Sequence, residues 1–204
     1  MANKDLYLNI DINVEMAKGH LKYLKPYLDA ISRRVDNSKY PILEIGIGTG
    51  LCSVYLGQLG YTSVHGIDIE PEIVDRFHNE TKILFNSDVK IFVGDAFDLS
   101  EIKHSLGGIS CIHHQGLLEH FKVADIIKML DHQVQISDGY VIFAVPLEGH
   151  RDESEYDPHE IRWSLEKWLA LINSKYLLFE YGVFGADVDK HQAYFVINKY
   201  WKGK

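Results

Sequence analysis

The residues best suited to chemistry lie in a glycine-dense turn that follows an apolar run. The segment Ile42-Leu43-Glu44-Ile45-Gly46-Ile47-Gly48-Thr49-Gly50 predicts a strand with an acidic residue and a glycine-rich turn. Glycine allows a sharp backbone bend and lets a ligand approach bare main chain. The next run, Leu51 to Leu56, can start a helix whose unpaired N–H groups and positive end attract an anionic group. The pattern therefore predicts the site of a nucleotide-like cofactor.

The spacing of these glycines separates two classes of cofactor that bind at such turns, dinucleotides and S-adenosylmethionine (SAM). A dinucleotide fingerprint has Gly-x-Gly-x-x-Gly after its strand. Here Gly46, Gly48 and Gly50 alternate, and Leu51 occupies the place of the last glycine of that fingerprint. The spacing disfavours a nicotinamide cofactor, and an NAD(P)-dependent oxidoreductase is kept as an alternative hypothesis.

Asp68 is the next residue with a clear chemical use. It ends a second apolar run, 22 residues after Gly46. Its carboxylate can accept hydrogen bonds from two ribose hydroxyls at once. The alternative is structural, because Asp is also a favoured cap for a helix such as the one that Pro71 can begin.

Residues 112–121 hold the side chains best suited to acid–base chemistry, in the order Ile-His-His-Gln-Gly-Leu-Leu-Glu-His-Phe. A histidine can take a proton near neutral pH. Glu119 could instead complement the dipole of the helix predicted to begin there. Because His113 and His114 are consecutive on a predicted strand, they point to opposite faces, and we predict no metal site.

Alternating strands and helices position these groups. The predicted strands are Pro41–Gly46, Ser63–Asp68, Lys90–Gly94, Gly108–His113 and Tyr140–Pro146, and the helices are Leu51–Leu59, Pro71–Asn86, Phe97–His104 and Glu119–Ser137. This alternation predicts an α/β fold with a doubly wound, mostly parallel sheet. Ligands of such sheets bind outside the carboxyl ends of the strands, so the groups above should converge on one crevice.

The N-terminal part shows a different pattern. Apolar residues recur at helical spacing between Leu21 and Val35. Pro26 interrupts them, which predicts two short helices or one kinked helix. We assign residues 1–37 to an N-terminal helical cap and residues 38–204 to one globular domain.

The C-terminal part also differs from the alternating pattern. Residues 147–163 form a long polar connection, and such connections are often lids. Its chemically most useful side chains are Tyr156, His159, Arg162 and Trp163. After a predicted helix at Ser164–Ser174, the strand-like runs Tyr176–Phe184 and His191–Tyr200 are joined by a loop too short for a parallel crossover. They should form an antiparallel hairpin.

Four ordered segments resemble the motifs of the class I SAM-dependent methyltransferases. They are Glu44-x-Gly46-x-Gly48-x-Gly50, Gly66–Pro71, Val93–Phe97 and Ile112–Phe121. The resemblance covers roughly residues 40–200, and four motifs in order are far more specific than one glycine turn. It implies a Rossmann-like, seven-stranded sheet with a C-terminal antiparallel hairpin. It also implies SAM as the cofactor and S-adenosylhomocysteine (SAH) as the product.

The same resemblance implies roles for individual residues. The cofactor-binding positions would be Glu44, Gly46, Gly48, Gly50, Asp68, Ile69, Asp95, Ala96 and His114. The glycine turn would lie against the amino-acid and ribose portion, with Glu44 ordering the turn or receiving the ammonium group. Asp95 and the N–H of Ala96 would read adenine. The catalytic positions would be His114, Glu119 and His120.

We therefore expect a SAM-dependent methyltransferase that methylates an O or N atom of a small molecule. A SAM-binding protein without turnover is a further alternative, because no general base is unambiguous. The formal charge of −8 and the absence of a basic stripe argue against a nucleic-acid acceptor. A protein acceptor stays open.

Composition and length suggest one well-buried domain in the 204 residues. The two cysteines, Cys52 and Cys111, lack Cys-x-x-Cys spacing, so we predict neither a disulfide framework nor a zinc site. No apolar run is long enough for a membrane span. We expect a soluble cytoplasmic protein, as a monomer or homodimer.

Overall fold

The structure, a computed structural model, describes residues 8–36, 41–149, 160–186 and 189–199. The strands in these ranges are β1 (Ile42–Ile45), β2 (Val64–Asp68), β3 (Lys90–Val93), β4 (Cys111–Gln115), β5 (Tyr140–Pro146), β6 (Leu178–Ala186) and β7 (Asp189–Asn198). The helices are α1 (Val14–Arg34), α2 (Leu51–Gln58), α3 (Pro71–Arg76), α4 (Lys82–Leu84), α5 (Ser100–Leu106), α6 (Val123–Ile136) and α7 (Leu165–Asn173). A π-helical segment, Phe77–Thr81, joins α3 to α4, and a 3-10 turn covers Leu118–His120.

One seven-stranded sheet contains all of these strands in the order β3-β2-β1-β4-β5-β7-β6. Strands β1 to β5 pair in parallel, and β7 runs antiparallel to both β5 and β6. The predicted doubly wound sheet with a C-terminal antiparallel hairpin is therefore confirmed. The strand order reverses between β1 and β4, which is where a crevice opens at the carboxyl ends of a parallel sheet.

Apolar side chains cover both faces of the sheet because successive strand residues alternate in direction. On one face, Ile42 packs in a core cluster with side chains from α1, α2 and α3. On the other face, Leu43 and Ile45 pack with Leu99 and Ile109 near α5, and a further cluster lies under α6 and α7. The helices thus lie on both sides, as the sequence predicts for a doubly wound fold.

Helix α1 is one continuous element, although it contains Pro26. Pro26 lies on the exposed side, where water can satisfy the carbonyl that its missing N–H leaves unpaired. Leu24, Tyr27 and Leu28 point the other way and are completely buried. The predicted boundary between a cap and a main domain, at residues 37 and 38, lies outside the described residues and stays a prediction.

Ionic contacts also join α1 to the hairpin. Glu180 on β6 accepts hydrogen bonds from Arg33 (2.7 Å), from Arg34 and from the Tyr194 hydroxyl (2.8 Å). These partners lower the pKa of Glu180, although partial burial of its carboxyl acts in the opposite direction. The helix is therefore attached to the outer strands by polar contacts as well as by its apolar side.

Two helix starts differ from the prediction. The helix predicted from Phe97 begins at Ser100, because the Asp95 side chain accepts from the Phe97 N–H (2.8 Å) and its carbonyl accepts from the Asp98 N–H (3.0 Å). This turn competes with helix formation. The helix predicted from Glu119 begins at Val123, after the 3-10 turn.

Within the described ranges, no helix has the length and apolar character that crossing a membrane requires.

Candidate functional site

A cleft of about 280 Å³ opens at the carboxyl ends of β1, β2, β3 and β4. Its size is close to the lower end of the range for small-ligand sites, about 300 Å³. Six of the predicted cofactor-binding residues line it: Gly46, Gly48, Asp68, Ile69, Asp95 and Ala96. Side chains that the sequence places on three different strand ends are thus brought together.

The three glycines of the turn all adopt left-handed backbone conformations. Their φ angles are 66° at Gly46, 51° at Gly48 and 72° at Gly50. A Cβ atom added at Gly50 would lie 2.4 Å from the ring of Phe77, and one at Gly46 would lie 3.1 Å from Leu117. The glycines are therefore required both for the shape of the turn and for its close packing. Gly50 contacts the core behind the turn and does not line the cleft.

Glu44 lies beneath the turn, outside the cleft. Its buried carboxylate accepts hydrogen bonds from the Ser53 backbone N–H (3.0 Å) and from the Ser53 hydroxyl. Ser53 is the third residue of α2, whose N-cap residue, Gly50, has no side chain to perform this role. Burial raises the pKa of Glu44 to about 7, although the bonds from Ser53 act in the opposite direction. Glu44 thus connects the strand to the helix after the turn.

Asp68 lines the cleft and also supports the turn. Its carboxylate accepts from the Gly48 N–H (3.3 Å) and from the Glu70 N–H (3.1 Å). Burial raises the pKa of Asp68, and the two backbone bonds counteract that effect. Asp68 therefore supports the loops on either side of it and faces the cleft, but it does not cap the helix that begins at Pro71, whose N-cap residue is Glu70.

Asp95 and Ala96, which are predicted to read adenine, also line the cleft. Asp95 is exposed and follows β3, and Ala96 is partly buried. Beside them, Phe97 packs edge-to-face against Phe121 with ring centroids 5.5 Å apart. Ile69 is 62% exposed at the rim. This part of the cleft combines one carboxylate with apolar walls, which suits a planar base.

The two consecutive histidines are buried on opposite faces of β4, as predicted. The Tyr27 hydroxyl lies 2.9 Å from Nδ1 of His113, and the Gln133 side-chain oxygen lies 3.2 Å from Nε2 of His114. The His114 ring stacks on Phe143 with centroids 5.4 Å apart. Burial lowers the pKa of His113 to about 3 and that of His114 to about 4, so both are neutral at pH 7.

His114 is therefore not brought to the cleft. Its ring belongs to the packing between β4, β5 and α6, and its predicted cofactor-binding and catalytic roles stay predictions without geometric support. His120, by contrast, lines the cleft. Its Nδ1 lies 3.5 Å from Oε1 of Glu160.

Glu119, the residue before His120 in the chain, is buried and does not line the cleft. Burial raises its pKa to about 8, and the negative charge of Glu160 adds to the effect. Its Oε2 has no hydrogen-bond partner among the described residues. The Glu119 carbonyl accepts from the Ile161 N–H at 2.7 Å, which fixes residues 160–161 over the 3-10 turn.

The predicted lid is described only at its two ends. Leu147 and Trp163 form a parallel bridge, and the Glu148 N–H donates to the Trp163 carbonyl at 3.2 Å. The Trp163 ring packs on Trp168 with centroids 5.1 Å apart. Tyr156 and His159 lie outside the described residues.

Within the described ranges, no group of three His, Cys, Asp or Glu side chains is arranged to hold a metal ion.

Comparisons with known proteins agree with this geometry. Residues 42–136 match the family model described as a methyltransferase domain. A structure from Synechocystis PCC 6803, magnesium protoporphyrin IX methyltransferase with bound SAH, is similar with a TM-score of 0.70 and 13% identity over 96% of this chain and 91% of that one. A protein of Pyrococcus horikoshii OT3 is similar with a TM-score of 0.71 and 17% identity over 95% of this chain and 98% of that one.

Residues 42–136 thus match a methyltransferase domain, and the fold of the chain is that of Rossmann-like methyltransferases. A curated protein of Methanocaldococcus jannaschii, provisionally named a protein N5-glutamine methyltransferase, is 33% identical over 92 residues. That match covers 44% of this chain and 46% of the relative, so the chain spans about half the length of the curated relative it matches.

Two features of the cleft were missed in the sequence. Leu117 lines the cleft and packs against Gly46, but its apolar character could not be distinguished from that of an ordinary core residue. Glu160 lies 40 residues after His120, and no spacing rule connects the two residues. Phe97 also lines the cleft.

Proposed function

We propose that this methyltransferase binds SAM in the cleft and transfers its methyl group to an O or N atom of a small molecule. The supporting observation is the position of Asp68 and Asp95 in one cleft that also contains the bare backbone of Gly46 and Gly48. The two carboxylates provide hydrogen-bond acceptors for ribose hydroxyls and for an exocyclic amine. The glycine turn lets a ligand approach the main chain closely.

The residues present fit an adenosyl ligand. The apolar end formed by Phe97, Phe121 and Ile69 suits an adenine ring, and Asp95 there can accept from its amine. Asp68 already accepts two backbone bonds, but a carboxylate offers about four lone-pair sites, so it can still accept from ribose hydroxyls. When bound, SAM supplies an electrophilic methyl group on a sulfonium.

His120 is the best-placed group for handling the acceptor's proton. Nδ1 of His120 lies at ion-pair distance, 3.5 Å, from Oε1 of Glu160. In the tautomer that carries its proton on Nδ1, the lone pair on Nε2 can take a proton from a hydroxyl or ammonium group. Glu160 then stabilises the imidazolium that forms. Because its pKa is raised to about 8, Glu119 is mainly a neutral acid at pH 7 and can donate a hydrogen bond.

Positioning provides the remaining catalytic effect. Methyl transfer is an in-line displacement, so much of the rate comes from holding the acceptor in line with the sulfonium. In this chain, Leu117 and Phe121 form the apolar wall beside His120 in the cleft. An acceptor with an apolar body and one hydroxyl or amine suits this surrounding.

A protein acceptor is the second candidate function. It is favoured by the name of the Methanocaldococcus jannaschii relative, which specifies a protein glutamine. The match to this relative covers only 44% of the chain, so it carries little weight on the identity of the acceptor. The small-molecule acceptor therefore stays the first candidate.

One labelling experiment tests both candidates. The protein is incubated with methyl-labelled SAM and an extract separated into metabolites and macromolecules. We expect label in a metabolite, and its loss with the variant His120→Ala. Label confined to protein would select the second candidate. If neither fraction is labelled while SAH binds, the chain is a SAM-binding protein without turnover and the proposed activity is wrong.

A further inference from the structure

The helical connection between β2 and β3 is interrupted by the π-helical segment Phe77–Thr81. In this segment, the Lys82 N–H donates to the Phe77 carbonyl, five residues earlier. Such segments are rare and occur frequently at functional sites. A regular helix was predicted over Pro71–Asn86, so the sequence pattern gives no sign of this irregularity.

Two side chains of the π segment contact the glycine turn from behind. The Phe77 ring packs against Gly50 so closely that a Cβ there would lie 2.4 Å from it. The Thr81 hydroxyl donates a hydrogen bond to the Thr49 carbonyl at 3.0 Å. Phe77 is 1% exposed and Thr81 is 0% exposed. Thr81 is thus a buried polar residue whose hydroxyl has its hydrogen-bond acceptor, the Thr49 carbonyl, in the turn itself.

The turn is therefore fixed from two directions. On the sheet side, the N–H groups of Gly46 and Ile47 donate to the Ile67 carbonyl at 2.8 and 3.2 Å. On the helix side, Thr81 holds the Thr49 carbonyl. Neither Phe77 nor Thr81 lines the cleft, whereas Gly46 and Gly48 do. Contacts behind the turn can thus control a surface that a ligand meets from the front.

We infer that Thr81 is a positioning residue for cofactor binding, because its hydroxyl holds the glycine turn in its binding shape through the Thr49 carbonyl. The inference rests on the proposed binding of SAM and extends it to a residue that does not touch the ligand. Without the hydroxyl, the Thr49 carbonyl loses this partner and the turn must be reordered on binding. Loss of preorganisation lowers affinity without removing any ligand contact.

The variants Thr81→Val and Thr81→Ser provide the test. The first removes only the hydroxyl donor, and the second keeps it. Ser32→Ala is the matched control, because the Ser32 hydroxyl also donates to a backbone carbonyl, that of Leu28 at 3.0 Å, but within α1. Calorimetric titration gives the affinity of each protein for SAH and for 5′-methylthioadenosine, which lacks the amino-acid portion. Thermal unfolding is recorded in parallel.

We expect Thr81→Val to bind SAH about threefold to tenfold more weakly, the range that one hydrogen bond provides. The loss for 5′-methylthioadenosine should be smaller, because the turn is expected to lie against the amino-acid and ribose portion and this ligand keeps only the ribose. Thr81→Ser and Ser32→Ala should bind SAH like the unaltered protein.

Equal SAH affinity in Thr81→Val and the unaltered protein, or equal losses for the two ligands, would overturn the inference. Thr81→Ala is a second variant without the hydroxyl. If both hydroxyl-free variants fail to fold while Thr81→Ser folds, the hydroxyl has a structural role only and the inference is also overturned. Absence of SAH binding to the unaltered protein would instead contradict the proposed function itself.

Discussion

Asp68 combines two tasks that separate residues often perform. It holds the Gly48 and Glu70 N–H groups, and it faces the cleft next to the turn that it supports. Sequence reasoning identified the residue but treated capping and ligand binding as alternatives. The structure shows that a carboxylate at a strand end can satisfy its own loop and keep acceptor capacity for a ligand.

Replacing this carboxylate should weaken cofactor binding. We expect Asp68→Asn to lower SAH affinity about tenfold to hundredfold, since a hydrogen bond to a charged group contributes about 1.5–3 kcal/mol. Asp75→Asn is the control, because Asp75 is exposed on α3 and does not line the cleft. Calorimetric titration measures both, and equal affinities in the two variants would mean that the ribose lies elsewhere.

Glu44 gives a prediction about pH. In the unfolded chain its pKa is near the ordinary 4.5, and burial raises it to about 7 in the folded protein. The unfolded state therefore loses this proton first as pH rises. The stability that the protonated group contributes is complete below about pH 4.5 and is lost as pH rises through about 7.

The variant Glu44→Gln stays neutral at every pH. Between pH 5 and pH 8, the free energy of unfolding of the unaltered protein should fall relative to that of Glu44→Gln, by up to roughly 3 kcal/mol. Urea unfolding at the two pH values measures this difference. Glu72→Gln, at an exposed position of α3, should show no comparable change. A pH-independent difference between Glu44→Gln and the unaltered protein would show that Glu44 ionises normally.

At the scale of elements, the glycine turn is the best-defined prediction of the sequence. Alternating glycines after an apolar strand indicate a turn with left-handed backbone angles, and all three glycines have such angles. The helix starts were less predictable, because local bonds such as that from the Phe97 N–H to Asp95 decide them. The π segment was invisible for a similar reason, since it depends on contacts that are distant in sequence.

Three glycine variants separate the costs of backbone angle and of crowding. Gly107→Ala should lower stability by about 1–2 kcal/mol, because its φ is 71° but no atom lies within 4 Å of the new Cβ. Gly50→Ala should cost about 2–5 kcal/mol, since it adds the clash with Phe77. Gly19→Ala, in α1 with open space around it, should gain up to about 1 kcal/mol. Urea unfolding of the three variants measures these values, and equal losses at Gly50 and Gly107 would show that Phe77 can move aside.

At the scale of the whole molecule, α1 packs into the same core as the sheet. Leu28 is completely buried together with residues of α2, β5 and β7. We predict that Leu28→Ala lowers stability by about 2–5 kcal/mol in one transition seen alike by circular dichroism and tryptophan fluorescence. Val14→Ala, at a 47% exposed position of the same helix, should have little effect. Two separate transitions would instead show that the helix folds as an independent cap.

The part of the cleft at the ends of β1, β2 and β3 was much more predictable than the part around His120. Gly46, Asp68 and Asp95 each follow or end a strand, so strand order alone brings them together. The contact of His120 with Glu160 joins positions on opposite sides of the long connection, and no local pattern specifies it. His114 shows the opposite problem, because a histidine in the right motif is buried in the packing between strands and a helix.

The most direct test of the proposed site is a crystal structure of the complex with SAH. We predict that the Asp68 carboxylate contacts the ribose hydroxyls, that Asp95 contacts the exocyclic amine of adenine, and that Gly46 and Gly48 lie against the amino-acid and ribose portion. A structure with the nucleoside away from both carboxylates would contradict the proposed binding mode.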